Sequence, residues 1–190
     1  MATLSSSTNI TISFNEITES FVSRHSYRPV IMFSDSYNFF ATGPARFRLY
    51  VQNRGEYGSY FGATNSSYVT LIYNQQPQVN KNFYTFGYKL EASNLAGENV
   101  ENVNFDTYEA WNEYQTTGSI NLAIDSRRTN QHMRMWRTQF ARDVNSRRTL
   151  QRMCNEYVYL KLTYNNDPVG DDFLQFKLYP CMYTYNFVNY

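Results

Sequence analysis

Residues that could perform acid–base, nucleophilic or metal chemistry are few in this chain and far apart. It has two histidines, His25 and His132, and two cysteines, Cys154 and Cys181. Neither histidine has a further ligand residue at metal-binding spacing, and two cysteines cannot form a four-ligand zinc site or a disulfide framework. We expect a hydrogen-bonded structural role for His25 and two reduced, partly buried thiols.

Other residue patterns that could indicate catalysis or ligand binding also have ordinary structural explanations. Asp171-Asp172 are adjacent carboxylates, but they follow the turn signal of residues 167–170, which is typical of a solvated loop. The 8 glycines are scattered and form no phosphate-binding loop. We therefore expect no enzyme activity, no metal and no cofactor.

Strand-like segments dominate the chain, so the residues of any functional site would be positioned by strands. Residues 9–14, 46–51 and 67–73 alternate apolar and polar residues or are rich in β-branched and aromatic ones. Turn signals such as Gly43-Pro44 separate such segments. Further strands are predicted at residues 82–91, 104–115, 156–164, 173–179 and 182–188. The pattern predicts a mainly β fold, an antiparallel β-sandwich or jelly-roll-like single domain.

Helical signals are limited to two short segments. Residues 15–22 could form one or two turns, and residues 144–154 could form a short helix beginning at Asn145 or Ser146. The first eight residues are polar. We expect a polar N-terminal segment over residues 1–8, a single β-sandwich domain over residues 9–190, and one or two short helices within it.

Charge is segregated along the chain, although the formal net charge is only +1. Acids without bases occupy Glu91 to Glu113, whereas arginines dominate from Arg127 to Arg152. Arginine beside aromatic residues is typical of protein interfaces, and near-neutrality argues against nucleic acid. A solvated face and a nucleic-acid contact remain alternatives. The candidate interface residues are Arg127, Arg128, Arg134, Trp136, Arg137 and Arg142.

Aromatic residues make up 18% of the chain and allow a second binding hypothesis. There are 18 Tyr and 14 Phe, which a sandwich core and subunit contacts explain. Flat exposed rings can also stack on sugars. A glycan-binding module would then depend on Trp111 or Trp136, the two tryptophans of the chain.

Membrane insertion and secretion are not expected from the sequence. No apolar run approaches the roughly 18 residues that a spanning helix requires. The first residues have neither the basic nor the apolar part of a secretion signal. We expect a soluble protein that is synthesised in the cytoplasm.

Three stretches, taken in order, resemble tail proteins of crAss-like phages, the short-tailed phages of gut Bacteroidetes. The first is Phe21–Pro29, with a His-Ser-Tyr-x-Pro pattern that starts at His25, followed by the aromatic segment Tyr37–Phe40. The second is Leu49–Gly62, with a glycine-containing turn, and leads into Val69–Asn74. The third comprises Ala110–Gln115, Arg134–Arg137, Ala141–Asp143 and Tyr157–Leu162.

This resemblance implies a structural virion protein of a short-tailed phage. It would be a ring or muzzle-associated subunit of the tail barrel that packs against other tail proteins, in several copies of a symmetric assembly. The protein would be made in the host bacterial cytoplasm and reside in the tail, without catalytic residues or specific nucleic-acid binding. The alternatives are a glycan-binding module of a tail fibre or baseplate and a jelly-roll coat protein of a small virus.

Overall fold

The computed structural model describes residues 11–25, 28–43, 48–52, 54–122, 129–132, 135–145, 151–166, 173–179 and 181–188. The chain divides into two compact units, Met1–Thr64 and Asn65–Tyr190. A single domain over residues 9–190 stays a prediction. Within the described ranges the secondary structure consists of antiparallel strands, which confirms the predicted mainly β class.

The first unit consists of three small antiparallel sheets. β1 (Thr11–Asn15) and β2 (Ser20–His25) form a hairpin. β3 (Met32–Ser34), β4 (Phe39–Thr42) and β5 (Leu49–Gln52) form a three-stranded sheet, and β6 (Ser59–Tyr60) pairs with β7 (Ala63–Thr64). An isolated two-stranded hairpin is marginally stable in water, so β1 and β2 depend on further contacts.

The helix predicted over residues 15–22 is wrong. The side chain of Asn15 accepts hydrogen bonds from the backbone N–H of Ile17 at 2.9 Å and of Thr18 at 3.3 Å. Glu19 adopts a φ of 49°, in the left-handed region. These features reverse the chain between β1 and β2, because an asparagine side chain that binds the following backbone competes with helix formation.

The helix predicted over residues 144–154 is also absent from the part of it that the structure describes. Val144 and Asn145 lie in a turn in which the Asp143 carboxylate accepts a hydrogen bond from the Asn145 N–H at 3.2 Å. Residues 151–153 are irregular, and residues 146–150 lie outside the described residues. The carboxylate of Asp143 therefore favours a turn at the position where we expected the helix to begin.

The second unit is built from two sheets. The long strand β9 (Lys81–Ser93) is the centre of a 7-stranded sheet. A second sheet has the order β12-β11-β16-β8, from β12 (Thr116–Asn121) and β11 (Thr107–Trp111) to β16 (Val158–Tyr164) and β8 (Ser67–Tyr73). The other strands of the larger sheet are β10 (Asn99–Val100), β13 (Thr129–His132), β14 (Met135–Gln139), β15 (Cys154–Asn155), β17 (Gln175–Leu178) and β18 (Met182–Phe187).

An aromatic core joins the two sheets of the second unit. Phe86 of β9 packs edge-on against Tyr108 of β11, with ring centroids 5.0 Å apart. Phe140, which follows β14, lies 4.9 Å from Phe86 by the same measure. Leu160 of β16 is fully buried in the same cluster. The sheets therefore pack face to face as a sandwich, with one side of each sheet left outward.

Two buried tyrosines in this core predict a loss of stability in alkali. Burial raises the pKa of Tyr88, whose hydroxyl donates to the Asn104 side chain, and burial also raises the pKa of Tyr73, with Cys181 beside it. Above a pH of about 10, the unfolded chain loses these protons while the folded protein retains them. Each tyrosine should then cost about 1.4 kcal/mol of unfolding free energy per pH unit.

Urea unfolding at pH 8, 9.5 and 11 would measure this loss. Tyr88→Phe removes one of the two hydroxyls, so the fall between pH 9.5 and pH 11 should be shallower in the variant than in the native chain. Parallel curves for the two proteins would contradict the assignment to Tyr88.

Candidate interaction surfaces

The predicted arginine interface is only partly within the described residues. Arg137 on β14 and Arg142 just after it are exposed, as a contact surface requires. Arg127, Arg128 and Arg134 lie outside the described residues. An interface formed by these arginines stays a prediction.

The prediction that Trp136 belongs to an interface surface is wrong. On β14, Trp136 and Thr138 are buried, whereas Arg137 between them is exposed. Trp136 is only 1% exposed and belongs to the core of the second unit. Successive residues of a strand point to opposite faces, so Trp136 and Thr138 point inward while Arg137 points outward. Trp136 is therefore unavailable for a partner surface or for stacking on a sugar.

A basic face lies on the outward side of the larger sheet and comprises Lys89, Glu91, Arg137, Lys177 and Tyr179. Lys89 Nζ lies 2.8 Å from the Glu91 carboxylate, and the Lys89 and Lys177 ammonium groups lie 4.3 and 5.0 Å from the Tyr179 ring centroid. Hydrogen bonds from Lys89 and Tyr179 lower the pKa of Glu91. The face thus carries three cations and one anion, and this excess of positive charge suits it to an acidic partner surface.

Aromatic residues occupy the outward side of the four-stranded sheet. Trp111 of β11 lies opposite Tyr159 of β16, and the two rings stack with centroids 5.4 Å apart. Tyr157 contacts Tyr159 edge-on, also at 5.4 Å. At the sheet edge, Lys161 Nζ lies 4.6 Å from the centroid of the Tyr68 ring. This aromatic face was not predicted, because its members come from three separate stretches of sequence.

A shallow groove of about 460 Å³ runs beside Trp111. Besides Trp111, the residues that line it include the acidic Glu109 and Glu113, the exposed Tyr114 and Lys161. The cross-strand neighbour of Glu109 is Lys161, but Lys161 contacts the Tyr68 ring rather than pairing with Glu109. The groove therefore combines a large ring with hydrogen-bonding carboxylates.

Two amide side chains hold the turn that forms one wall of this groove. The Asn112 side chain accepts hydrogen bonds from the backbone N–H groups of Tyr114 and Gln115, both at 2.9 Å. The Gln115 side chain accepts from the Cys154 N–H at 2.7 Å and donates to the Arg152 carbonyl at 3.0 Å. The strand predicted over residues 104–115 therefore ends at Trp111, because Asn112 binds its own following backbone.

Asn112→Ala is expected to destabilise the second unit. Two backbone N–H groups in a partly buried turn would lose their acceptor, at a cost of about 1–2 kcal/mol of unfolding free energy. Urea unfolding would measure the change, and Asn145→Ala, at an exposed position in the same groove, is the matched control. Equal effects of the two substitutions would contradict the proposed function of the Asn112 side chain.

The first unit presents an inverted strand pattern, in which apolar side chains face outward. On β1 the apolar Ile12 and Phe14 are exposed, whereas the polar residues between and beside them are half-buried. On β5 Val51 is exposed while Gln52 is buried. The outward apolar surface, as we call it, consists of the exposed apolar residues of the hairpin of β1 and β2, namely Ile12, Phe14, Ile17, Phe21 and Val22.

The residues considered for catalysis form no catalytic arrangement within the described ranges. His25 hydrogen-bonds to the hydroxyl of Ser13 across the first hairpin. Cys154 and Cys181 are free thiols, and burial raises the pKa of both, which makes them poor nucleophiles at neutral pH. Within the described ranges, no three His, Cys, Asp or Glu side chains converge as a metal-ligand set. Asp171-Asp172 lie outside those ranges.

In the part of the chain that the structure describes, no helix is long and apolar enough to cross a bilayer.

Comparisons with known proteins show that this chain is similar to phage proteins. Residues 55–143 match the family model described as the Crassvirus muzzle protein C-terminal domain. The chain is similar in particular to the muzzle protein of Bacteroides phage crAss001, at 30% identity over 158 residues. These matches confirm the resemblance to crAss-like phage proteins that the three sequence stretches indicated. The aligned residues make up 80% of this chain and 11% of the length of that muzzle protein.

Proposed function

We propose that this chain is a structural subunit of the tail of a crAss-like phage, located in a tail-barrel ring or against the muzzle. The observation that carries the proposal is the match to the muzzle protein of phage crAss001, which extends over 80% of the chain. The protein acts by packing against other tail proteins rather than by chemistry. Several copies occupy equivalent positions in a symmetric assembly.

The outward apolar surface of the first unit supports a packing function. Phe21 on β2 is 75% exposed and Ile17 in the hairpin turn is 94% exposed, although large apolar side chains normally face a core. Clustered exposed apolar residues mark surfaces that another protein covers. A neighbouring tail protein is the occupant that we propose, because the hairpin of β1 and β2 also needs further strands or a covering surface to be stable.

The basic face of the second unit supplies a separate contact. Acidic groups on a partner would contact Arg137, Lys89 and Lys177. The exposed Arg142, which follows β14, would add a further cation to this contact. Arg127, Arg128 and Arg134 are proposed members of this surface on the basis of sequence alone. Arginine contributes strongly to such contacts because its planar guanidinium group binds carboxylates through paired hydrogen bonds.

Quantitative peptide mass spectrometry on gradient-purified phage particles tests the proposal. The chain should be present at a stoichiometry that is a small multiple of that of the portal protein, as symmetric rings require. Absence of the chain from particles that contain the other tail proteins would overturn the proposal.

A further inference from the structure

The groove beside Trp111 has the composition of a ligand site. Glu109 carries a carboxylate that makes no ion pair within the described residues, and no acceptor there binds the indole N–H of Trp111. Tyr114, 73% exposed, stands at the same groove. A large ring with unused hydrogen-bonding groups around it is typical of sites that recognise small polar molecules.

The indole ring is held in place for stacking. Tyr159 stacks on Trp111 with an angle of 18° between the ring planes, and Trp111 also lines the groove. The turn at residues 112–115 is tied by the Asn112 and Gln115 side chains. Both features reduce the freedom that the site would lose on binding, and preorganisation of this kind favours affinity.

We propose that this groove binds a neutral oligosaccharide, with one pyranose ring stacked on Trp111 and its hydroxyls hydrogen-bonded to Glu109. The C–H groups on the flat side of a pyranose are apolar and weakly positive, so they pack on the negative face of an indole. Carboxylates accept strong, charge-assisted hydrogen bonds from hydroxyl groups. Asn145 lines the same groove and offers further hydrogen bonds.

The charges of the groove decide the class of sugar. Glu109 and Glu113 place two negative charges there, whereas the ammonium group of Lys161 lies against the Tyr68 ring. Sugars with carboxylate or sulfate groups would therefore be repelled, and neutral hexose units would be accepted. Because the groove is shallow, each site binds weakly, and the copies in a symmetric assembly supply avidity. This activity goes beyond the proposed structural function; binding by a single site does not depend on that function, whereas the avidity of many copies rests on it.

Tryptophan fluorescence of the full chain measures such binding directly. The chain has 2 tryptophans, and Trp136 is 1% exposed, so a ligand in the groove changes the emission of Trp111 alone. Neutral manno-, gluco- and galacto-oligosaccharides are titrated up to millimolar concentrations, beside an oligogalacturonate and an arginine-rich peptide. We expect a saturable change with at least one neutral sugar and none with the oligogalacturonate.

Variants locate the site. Trp111→Ala should abolish sugar-dependent retention on an immobilised oligosaccharide, and Glu109→Gln should weaken the affinity about tenfold, as expected for loss of a charge-assisted hydrogen bond. Arg137→Ala, on the opposite sheet, is the matched control and should bind as the native chain does. Near-ultraviolet circular dichroism verifies that each variant is folded.

Three results would overturn the proposal. The first is the absence of any change with every neutral sugar at millimolar concentration. The second is undiminished retention of a folded Trp111→Ala chain. The third is a response to the arginine-rich peptide alone, which would identify the groove as a contact for a partner's guanidinium groups. None of these results bears on the presence of the chain in phage particles.

Discussion

Trp136→Ala should lower the free energy of unfolding by about 3–5 kcal/mol, the usual cost of removing a large aromatic side chain from a core. Trp136 is 1% exposed and belongs to the buried cluster that joins the two sheets of the second unit. The free energy of unfolding of a single domain is only about 5–15 kcal/mol, so the variant would lose a large part of its stability. Urea unfolding followed by circular dichroism would measure the difference.

The neighbouring residue on β14 supplies the control. Arg137 is exposed on the other side of the strand, so Arg137→Ala should change the unfolding free energy by no more than about 0.5 kcal/mol. Similar small effects of both substitutions would mean that Trp136 is a surface residue after all. A test of the arginine surface should therefore use Arg137 and Arg142 and leave Trp136 intact.

The largest expected effect on assembly comes from the outward apolar surface of the first unit. Replacing Phe14 and Phe21 together with Ser should reduce incorporation into particles by at least about tenfold, because aromatic residues at interface centres often contribute 2 kcal/mol or more each. Their rings contact each other across the hairpin with centroids 5.2 Å apart. Mass spectrometry of particles from phages that carry the double variant would measure the loss, relative to the portal protein.

Leu95→Ser is the matched control for this prediction. Leu95 is 53% exposed, close to the 52% of Phe14, but it lies in a turn of the second unit rather than in the outward apolar surface. Its replacement should leave incorporation within about twofold of the native level, as expected for an isolated surface residue. Normal incorporation of the Phe14 and Phe21 double variant would exclude this surface as the main contact.

Local sequence patterns predicted the strands well where the alternation of side chains was strong. The segment 67–73 was predicted with the bounds that β8 has, and 156–164 differs from β16 by two residues at its start. β-Branched and aromatic residues at alternate positions favour an extended backbone whatever the partner strand is. The resemblance to crAss-like phage proteins also needed only the order and spacing of residues along the chain.

The helix predicted at residues 15–22 shows where local patterns fail. The segment has spacing that a short helix could accommodate, but Asn15 binds the backbone of the next residues and starts a hairpin turn. Short helices have little stability of their own, so two side-chain hydrogen bonds and a pairing strand decide between helix and hairpin. The partner strand is a non-local feature that the segment itself does not contain.

The two tryptophans show most clearly which properties the sequence determines and which depend on the tertiary structure. The sequence alone determined that the chain is a mainly β protein with an aromatic excess, and it could not distinguish Trp111 from Trp136 as an exposed ring. The distinction depends on which side of its sheet each residue occupies and on what packs against that side. Trp136 faces the core between two sheets, and Trp111 faces outward beside Tyr159, a residue 48 positions away in sequence. Pairing register and sheet packing join distant segments, so only the tertiary structure decided where a binding surface could form.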